Sequence, residues 1–153
     1  MSERSVEHAT FVVERSYDAA PDRVFAAWSD PQAKARWFGG SDERFELDFR
    51  VGGRERRQGI DAGGNAYTFQ ALYQDIVPAS RIVYTYDMLV GATRISVSVA
   101  TVEFRPQGAG TRLVFTEQGV FLDGHDTPAR REHGMGSLLD ALGAELRSGR
   151  AGT

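Results

Sequence analysis

The chain has 153 residues, of which 41% are hydrophobic and 25% are charged, the composition of an ordinary globular domain. Its 18 basic and 21 acidic residues give a formal net charge of -3, so neither nucleic acid nor a membrane is an expected partner. The absence of cysteine excludes disulfides, thiolate metal sites and cysteine nucleophiles.

The chain begins with ten mostly polar and charged residues, which lack the apolar core of a signal peptide. No apolar run approaches the roughly 20 residues that a membrane helix requires. We therefore expect a cytoplasmic protein, which the lack of cysteine also fits, folded as a single domain over residues 1–153.

A strand and two short helices are the first predicted elements. Residues 9–17 alternate in polarity with the period of a half-buried strand. Pro21 then suits the first turn of a helix, because its missing N–H needs no partner there. Pro31 marks the start of a second short helix over residues 32–37.

The middle of the chain is predicted to be a series of strands. A period of two runs through residues 45–51, 67–73 and 82–88, and two further strands are predicted over residues 93–104 and 111–118. Glycine-rich and proline-containing turns separate these runs. With a strand at residues 54–57, about seven strands result, and the short connections make neighbouring strands antiparallel.

The longest predicted helix covers residues 127–146. Five large apolar residues recur on one of its faces at helical spacing: Met135, Leu138, Leu139, Leu142 and Leu146. The apolar face of the sheet needs a cover, and only this helix is long enough to provide it. The predicted fold class is therefore α+β, with a curved antiparallel sheet of about seven strands wrapped around the C-terminal helix.

The sequence contains no motif for a metal ion, a cofactor or a known catalytic site. The three histidines, His8, His125 and His133, lack the helical spacing of a zinc motif. No glycine pair precedes a helix with phosphate-binding spacing, and no Gly-x-Ser-x-Gly segment occurs. We expect no metal and no cofactor, and no catalytic residue can be assigned.

Aromatic residues are concentrated on the strands and short helices that surround the last helix. Core packing accounts for each of them singly, but tyrosine hydroxyls on inward positions need partners, which favours a pocket with a few oriented polar groups. The predicted ligand-binding residues are Trp37, Phe38, Phe49, Arg56, Tyr67, Phe69, Tyr84, Tyr86, Glu117, Met135 and Leu139.

Three arginines crowd the predicted strand at residues 54–57. Either this face is solvated, or at least one guanidinium points inward and is balanced by Glu55, by Glu117 or by a ligand carboxylate. Glu103 and Glu117 are both candidates for the inward face, because each shares strand parity with apolar neighbours.

Several segments carry a resemblance to a known family: ERSYDAAP at 14–21, VFAAWSDP at 24–31, RWFG at 36–39, and residues 64–78, 81–85, 101–104, 110–113 and 134–142. With these segments the chain resembles the helix-grip superfamily of START-like domains, in its bacterial branch similar to activator of Hsp90 ATPase homologues. The resemblance implies a helix-grip fold, which hosts carriers, cyclases, hormone receptors and co-chaperones.

Three functions follow as hypotheses. The first is binding of a small hydrophobic or aromatic molecule in an internal cavity between the sheet and the last helix. The second is a cyclase or hydrolase that uses Glu103 or Glu117 with a tyrosine as acid–base partners. The third, implied by the family name, is a co-chaperone of an Hsp90-type ATPase. Homodimerisation stays open, since an exposed edge strand or the short helices can pair with a second copy.

Overall fold

The computed structural model describes residues 4–39, 44–61 and 63–149 of the chain. Within these ranges, seven strands and three helices follow one another in the predicted order. In chain order they are β1 (Val6–Tyr17), α1 (Pro21–Ser29), α2 (Pro31–Trp37), β2 (Arg44–Leu47), β3 (Arg54–Ile60), β4 (Ala66–Val77), β5 (Arg81–Val90), β6 (Thr93–Gln107), β7 (Gly110–Leu122) and α3 (Pro128–Arg147).

The strands form one curved antiparallel sheet in the order β1-β7-β6-β5-β4-β3-β2. Consecutive strands from β2 to β7 are neighbours because short turns join them, and β1 forms the edge beside β7. Val13 lies opposite Phe115 and Phe104 lies opposite Leu113, so this register places apolar residues together on one face. The predicted α+β fold is confirmed.

The helix α3 packs against the inner face of the sheet. Four large residues of its apolar face are buried: Met135, Leu139, Leu142 and Leu146. The Tyr17 hydroxyl donates to the Leu139 carbonyl oxygen at 2.7 Å and ties β1 to the middle of the helix. Since each buried side chain of this size contributes roughly 1.5–3 kcal/mol, this face holds the helix on the sheet.

The helices α1 and α2 both begin with proline, as predicted, and they pack against each other. The Asp30 side chain caps α2 by accepting a hydrogen bond from the Gln32 N–H at 3.1 Å. The Trp28 and Trp37 rings lie 4.8 Å apart, centroid to centroid, and Trp37 Nε1 donates to the Ala27 carbonyl oxygen at 2.9 Å. No helix in the described part of the chain is long and apolar enough to span a membrane.

The strand predicted over residues 45–51 ends early, at Leu47. A tight turn follows, in which the Gly53 N–H donates to the Arg50 carbonyl oxygen at 2.8 Å. A Cβ atom at Gly53 would lie 2.0 Å from the Asp48 carbonyl oxygen, so only glycine fits this turn. Phe49 consequently lies in the turn and not on a strand.

Candidate ligand-binding site

Aromatic side chains line the inner face of the central strands. Phe69 of β4 and Tyr84 and Tyr86 of β5 point to this face because they occupy alternate, buried positions of their strands. The Phe69 ring lies 4.8 Å from the Tyr86 ring and 5.5 Å from the ring of Phe38, which follows α2. These four residues are at most 7% exposed, so the interior presents a closed and mostly apolar surface.

A polar group within this interior is centred on Glu117 of β7, which is 1% exposed. Its Oε2 accepts hydrogen bonds from the Tyr86 hydroxyl at 2.7 Å, the Ser98 hydroxyl at 2.7 Å and Arg131 Nη1 at 3.3 Å. Arg131, in the first turn of α3, also donates to the Tyr86 hydroxyl at 2.8 Å and to Ser96 Oγ at 2.7 Å. We call these five residues the Glu117 cluster. It joins β5, β6 and β7 to the start of α3.

Burial and neighbouring charges hold the tyrosines and the arginine of this region in their ordinary protonation states. Burial, together with the charge of Glu117, raises the pKa of Tyr86, so its hydroxyl stays a donor at neutral pH. Burial also raises the pKa of Tyr84, and the nearby Tyr86 and Glu117 add smaller effects in the same direction. Burial opposes the charge on Arg131, but Tyr86, Glu117 and Asp126 outweigh it and raise the Arg131 pKa.

The two carboxylate oxygens of Glu117 differ in their hydrogen bonding. Oε2 has three donors, whereas Oε1 is buried and accepts no hydrogen bond from the residues that the structure describes. A buried acceptor without a partner costs about 1–3 kcal/mol, and more when the group is charged. Glu117 therefore presents an open hydrogen-bonding position inside the protein.

A second buried polar group contains Lys34 of α2, Glu55 and Arg57 of β3, and Tyr73 of β4. Lys34 Nζ donates to Glu55 Oε1 at 2.6 Å and to the Tyr73 hydroxyl at 3.2 Å, and that hydroxyl donates to Glu55 Oε1 at 2.6 Å. Arg57 Nε donates to Glu55 Oε2 at 3.0 Å. We call these four residues the Lys34 cluster. In it, both oxygens of the carboxylate have donors.

The charges of the Lys34 cluster sit among aromatic rings and away from water. Lys34 Nζ lies 4.6 Å from the centroid of the Phe38 ring, a cation–π distance. Burial lowers the pKa of Lys34, and Glu55 only partly offsets this. Burial tends to raise the pKa of Glu55, but Lys34, Tyr73 and Arg57 outweigh it, and the pKa is lowered. The cluster is thus a compensated ion pair that joins α2 to the sheet.

Most of the predicted site residues lie in the interior. Those less than a tenth exposed are Trp37, Phe38, Phe69, Tyr84, Tyr86, Glu117, Met135 and Leu139. Tyr67 is half-buried, and Phe49 packs from its turn against Phe25 and Tyr73. The structure brings Tyr86 and Glu117 into direct contact. Among the described residues, no three histidine, aspartate or glutamate side chains are grouped to hold a metal ion.

Two of the predicted charges lie on the outer face of the sheet. Arg56 is exposed there and lines an open groove of about 500 Å³, whereas its neighbour Arg57 points inward and is balanced by Glu55. Glu103 is also on the outer face, in an ion pair with Arg105 at 3.0 Å. The reason is strand parity: on β3 the buried positions are 55 and 57, which places 54 and 56 outside.

Five side chains of the two clusters were not predicted as site residues: Lys34, Tyr73, Ser96, Ser98 and Arg131. Arg131 lies four residues before Met135 and continues the buried stripe of α3 by one turn, a spacing that periodicity could have revealed. Lys34 lies three residues before Trp37 on the buried face of α2. Ser98 lies on the inward face of β6, but its small polar side chain gives no signal in an apolar pattern.

A curved antiparallel sheet over a C-terminal helix, with two short helices after the first strand, defines a helix-grip domain of the START-like superfamily. Residues 18–147 match the family model described as activator of Hsp90 ATPase homolog 1-like protein, and the chain belongs to that family. The resemblance inferred from the sequence is confirmed.

Solved structures of bacterial proteins are similar to this chain over nearly its whole length. A protein of Rhizobium leguminosarum is 46% identical with a TM-score of 0.90, covering 96% of this chain and 99% of its own. A protein of Rhizobium loti is 48% identical with a TM-score of 0.88, covering 93% and 99%. One from Chromobacterium violaceum is 26% identical with a TM-score of 0.75, covering 88% and 94%. No match was found among curated proteins.

Proposed function

We propose that this protein binds a small hydrophobic or aromatic molecule in its interior, between the sheet and α3. The observation that carries the proposal is the setting of the Glu117 cluster, a few convergent polar groups within a surface of aromatic rings. This combination is the common composition of a small-molecule site: apolar walls supply affinity and a few polar groups supply orientation.

Stability alone is a weak reason for the Glu117 cluster. Removing a carboxylate and a guanidinium from water costs several kcal/mol per ion, and well-packed apolar residues of similar volume often do as well or better. Glu117 is 1% exposed and the Arg131 side chain 10% exposed, so this cost applies to both. A role in orienting a ligand accounts for a buried pair that stability alone does not explain.

The interior is closed in this structure, so a ligand enters only when side chains move. Met88, half-buried on β5, and Met135, 6% exposed on α3, are the adaptable residues of this region, because the unbranched methionine side chain repacks at little cost. We propose that entry depends on rearrangement of these two side chains, which pack in the same hydrophobic core.

Binding is better supported than acid–base catalysis. Both oxygens of Glu55 accept hydrogen bonds from cations, and one oxygen of Glu117 accepts a hydrogen bond from the Tyr86 hydroxyl. The proton of that hydroxyl is therefore already in use. The raised pKa of Tyr86 makes it a poor proton donor to a substrate at neutral pH. An ATPase assay with an Hsp90-type chaperone tests the function implied by the family name; no stimulation at saturating protein removes it.

The test is native mass spectrometry of the protein purified from its own host, followed by extraction of any retained molecule. We expect an adduct that is retained in Arg56→Ala, on the outer face, and is lost or reduced in Tyr86→Phe. The Tyr86→Phe change removes one hydroxyl and keeps the ring, so the fold persists. A bare protein mass, combined with unchanged amide NMR spectra on adding small aromatic molecules, would refute the proposal.

A further inference from the structure

The open oxygen of Glu117 restricts the chemistry of what the interior can accept. A carboxylate oxygen accepts hydrogen bonds and cannot donate one. Glu117 Oε1 is buried and has no donor among the described residues, although three donors crowd Oε2. A molecule that satisfies Oε1 must therefore bring its own O–H or N–H group.

The cluster has little capacity to turn one of its own donors to this oxygen. Tyr86 and Ser98 each carry a single hydroxyl proton, and both are given to Oε2 at 2.7 Å. Arg131 divides its N–H groups among Tyr86, Oε2, Ser96 and Asp126. The arrangement leaves Oε1 for an outside donor.

The backbone beside Glu117 supports this arrangement. Gly119 is paired with Ser98 across β7 and β6, and a Cβ at residue 119 would lie 2.7 Å from Ser98 Oγ. Glycine at this position gives the Ser98 hydroxyl room to reach Oε2. Gly119 thus acts as a positioning residue for Oε2, the carboxylate oxygen that already has three donors.

From these contacts we infer that the ligand is an uncharged molecule with a hydroxyl or N–H donor on an aromatic or apolar frame, bound with that donor on Glu117 Oε1. The inference rests on the proposed function and adds the ligand class to it. Carboxylates and other anions are disfavoured, because they bring a second negative charge and no donor to a buried carboxylate. Ethers of the same frame fit the apolar walls and leave Oε1 unsatisfied.

The experiment compares probes of equal frame that differ in one group: phenol, anisole and benzoate, and then 2-naphthol, 2-methoxynaphthalene and 2-naphthoate. Binding to the full chain is followed by amide NMR shifts at neutral pH. We expect each hydroxyl compound to bind about 10- to 100-fold tighter than its methyl ether, the range for one hydrogen bond to a charged group. The carboxylates should bind weakest.

Two variants assign the preference to Glu117. In Glu117→Gln the amide can present N–H groups or a carbonyl oxygen, so the preference for hydroxyl over ether should fall below about 3-fold. Glu103→Gln, the same change on the outer face, should keep the wild-type preference. The wild-type ratio alone already tests the inference if Glu117→Gln does not fold.

The outcomes separate the two proposals. Hydroxyl and ether compounds that bind the wild type equally well overturn the inference and leave the proposed function standing. Tight binding of the carboxylates has the same consequence. Failure of all six probes to shift any interior resonance overturns the proposed function itself, and the inference with it.

Discussion

The Lys34 cluster offers the sharpest test of how the short helix α2 is held to the sheet. Lys34 and Glu55 are both about 1% exposed at the side chain, and their Nζ–Oε1 distance is 2.6 Å. Replacing Glu55 by Gln removes the negative charge to which Lys34 and Arg57 donate, while both cations stay buried. Replacing Lys34 by Met leaves Glu55 with Arg57 and with the Tyr73 hydroxyl.

The expected costs follow from this asymmetry. Removing one partner of a buried pair costs about 3–5 kcal/mol, and we assign this range to Glu55→Gln. Lys34→Met should cost about 1–3 kcal/mol, because its carboxylate partner keeps two donors and the methionine fills part of the space. In a domain of this size, each kcal/mol lowers the melting temperature by roughly 2–4 °C.

Urea unfolding at pH 7 of the two single variants and the double variant completes a double-mutant cycle. We expect the double variant to be less destabilised than the sum of the single ones, by at least about 1 kcal/mol. Arg56→Ala, an exposed neighbour of the cluster on β3, is the matched control and should stay within about 0.5 kcal/mol of the wild type. Additive costs in the cycle would show that Lys34 and Glu55 do not stabilise each other, which refutes this account of the cluster.

Three further predictions concern other parts of the fold. Gly119→Ala places a Cβ 2.7 Å from Ser98 Oγ and should lower stability by about 1–3 kcal/mol in thermal unfolding, whereas Gly134→Ala, in open space on α3, should raise it by about 0.5–1 kcal/mol. Arg131→Ala should speed hydrogen exchange of the first two turns of α3 by at least about tenfold, because this side chain anchors them to three strands. In the folded protein the pKa of Glu55 is lowered from its ordinary value of 4.5. The carboxylate therefore contributes its full stabilisation above pH 4.5 and loses it as the pH falls through the lower pKa of the folded state. In urea unfolding, the difference in stability between the wild type and Glu55→Gln should narrow in that acidic range.

The fold could be predicted from the sequence because its signals are periodic and local. The period of two on the strands and the helical spacing of Met135, Leu139 and Leu142 decide which faces are buried, and the structure follows them. The boundaries were less accurate. The turn after Leu47 depends on a close approach of two backbone segments at Gly53, which no residue pattern displays.

The site was predictable only in part, for a physical reason. Aromatic and large apolar side chains indicate burial by themselves, and Phe69, Tyr84 and Tyr86 are buried as predicted. A buried charge can be located only when its partner is known, and a sequence pattern does not show that partner. Here the partners of Glu55 and Glu117 come from distant elements, Lys34 from α2 and Arg131 from α3. Arg56, predicted as a ligand-binding residue, lies on the outer face of β3 and Arg57 on the inner one, because successive residues of a strand alternate between its two faces.

The two buried glutamates differ in how completely the fold satisfies their hydrogen bonds. Glu55 and Glu117 are equally inaccessible at 1% exposure, and each has a cation nearby. Both oxygens of Glu55 have donors, so its cluster is complete without a ligand. Glu117 keeps one oxygen without a donor in the described residues, an arrangement that costs free energy in a buried carboxylate. A ligand hydroxyl that donates to this oxygen would recover that free energy as binding energy, which is why we propose Glu117, and not Glu55, as the ligand contact.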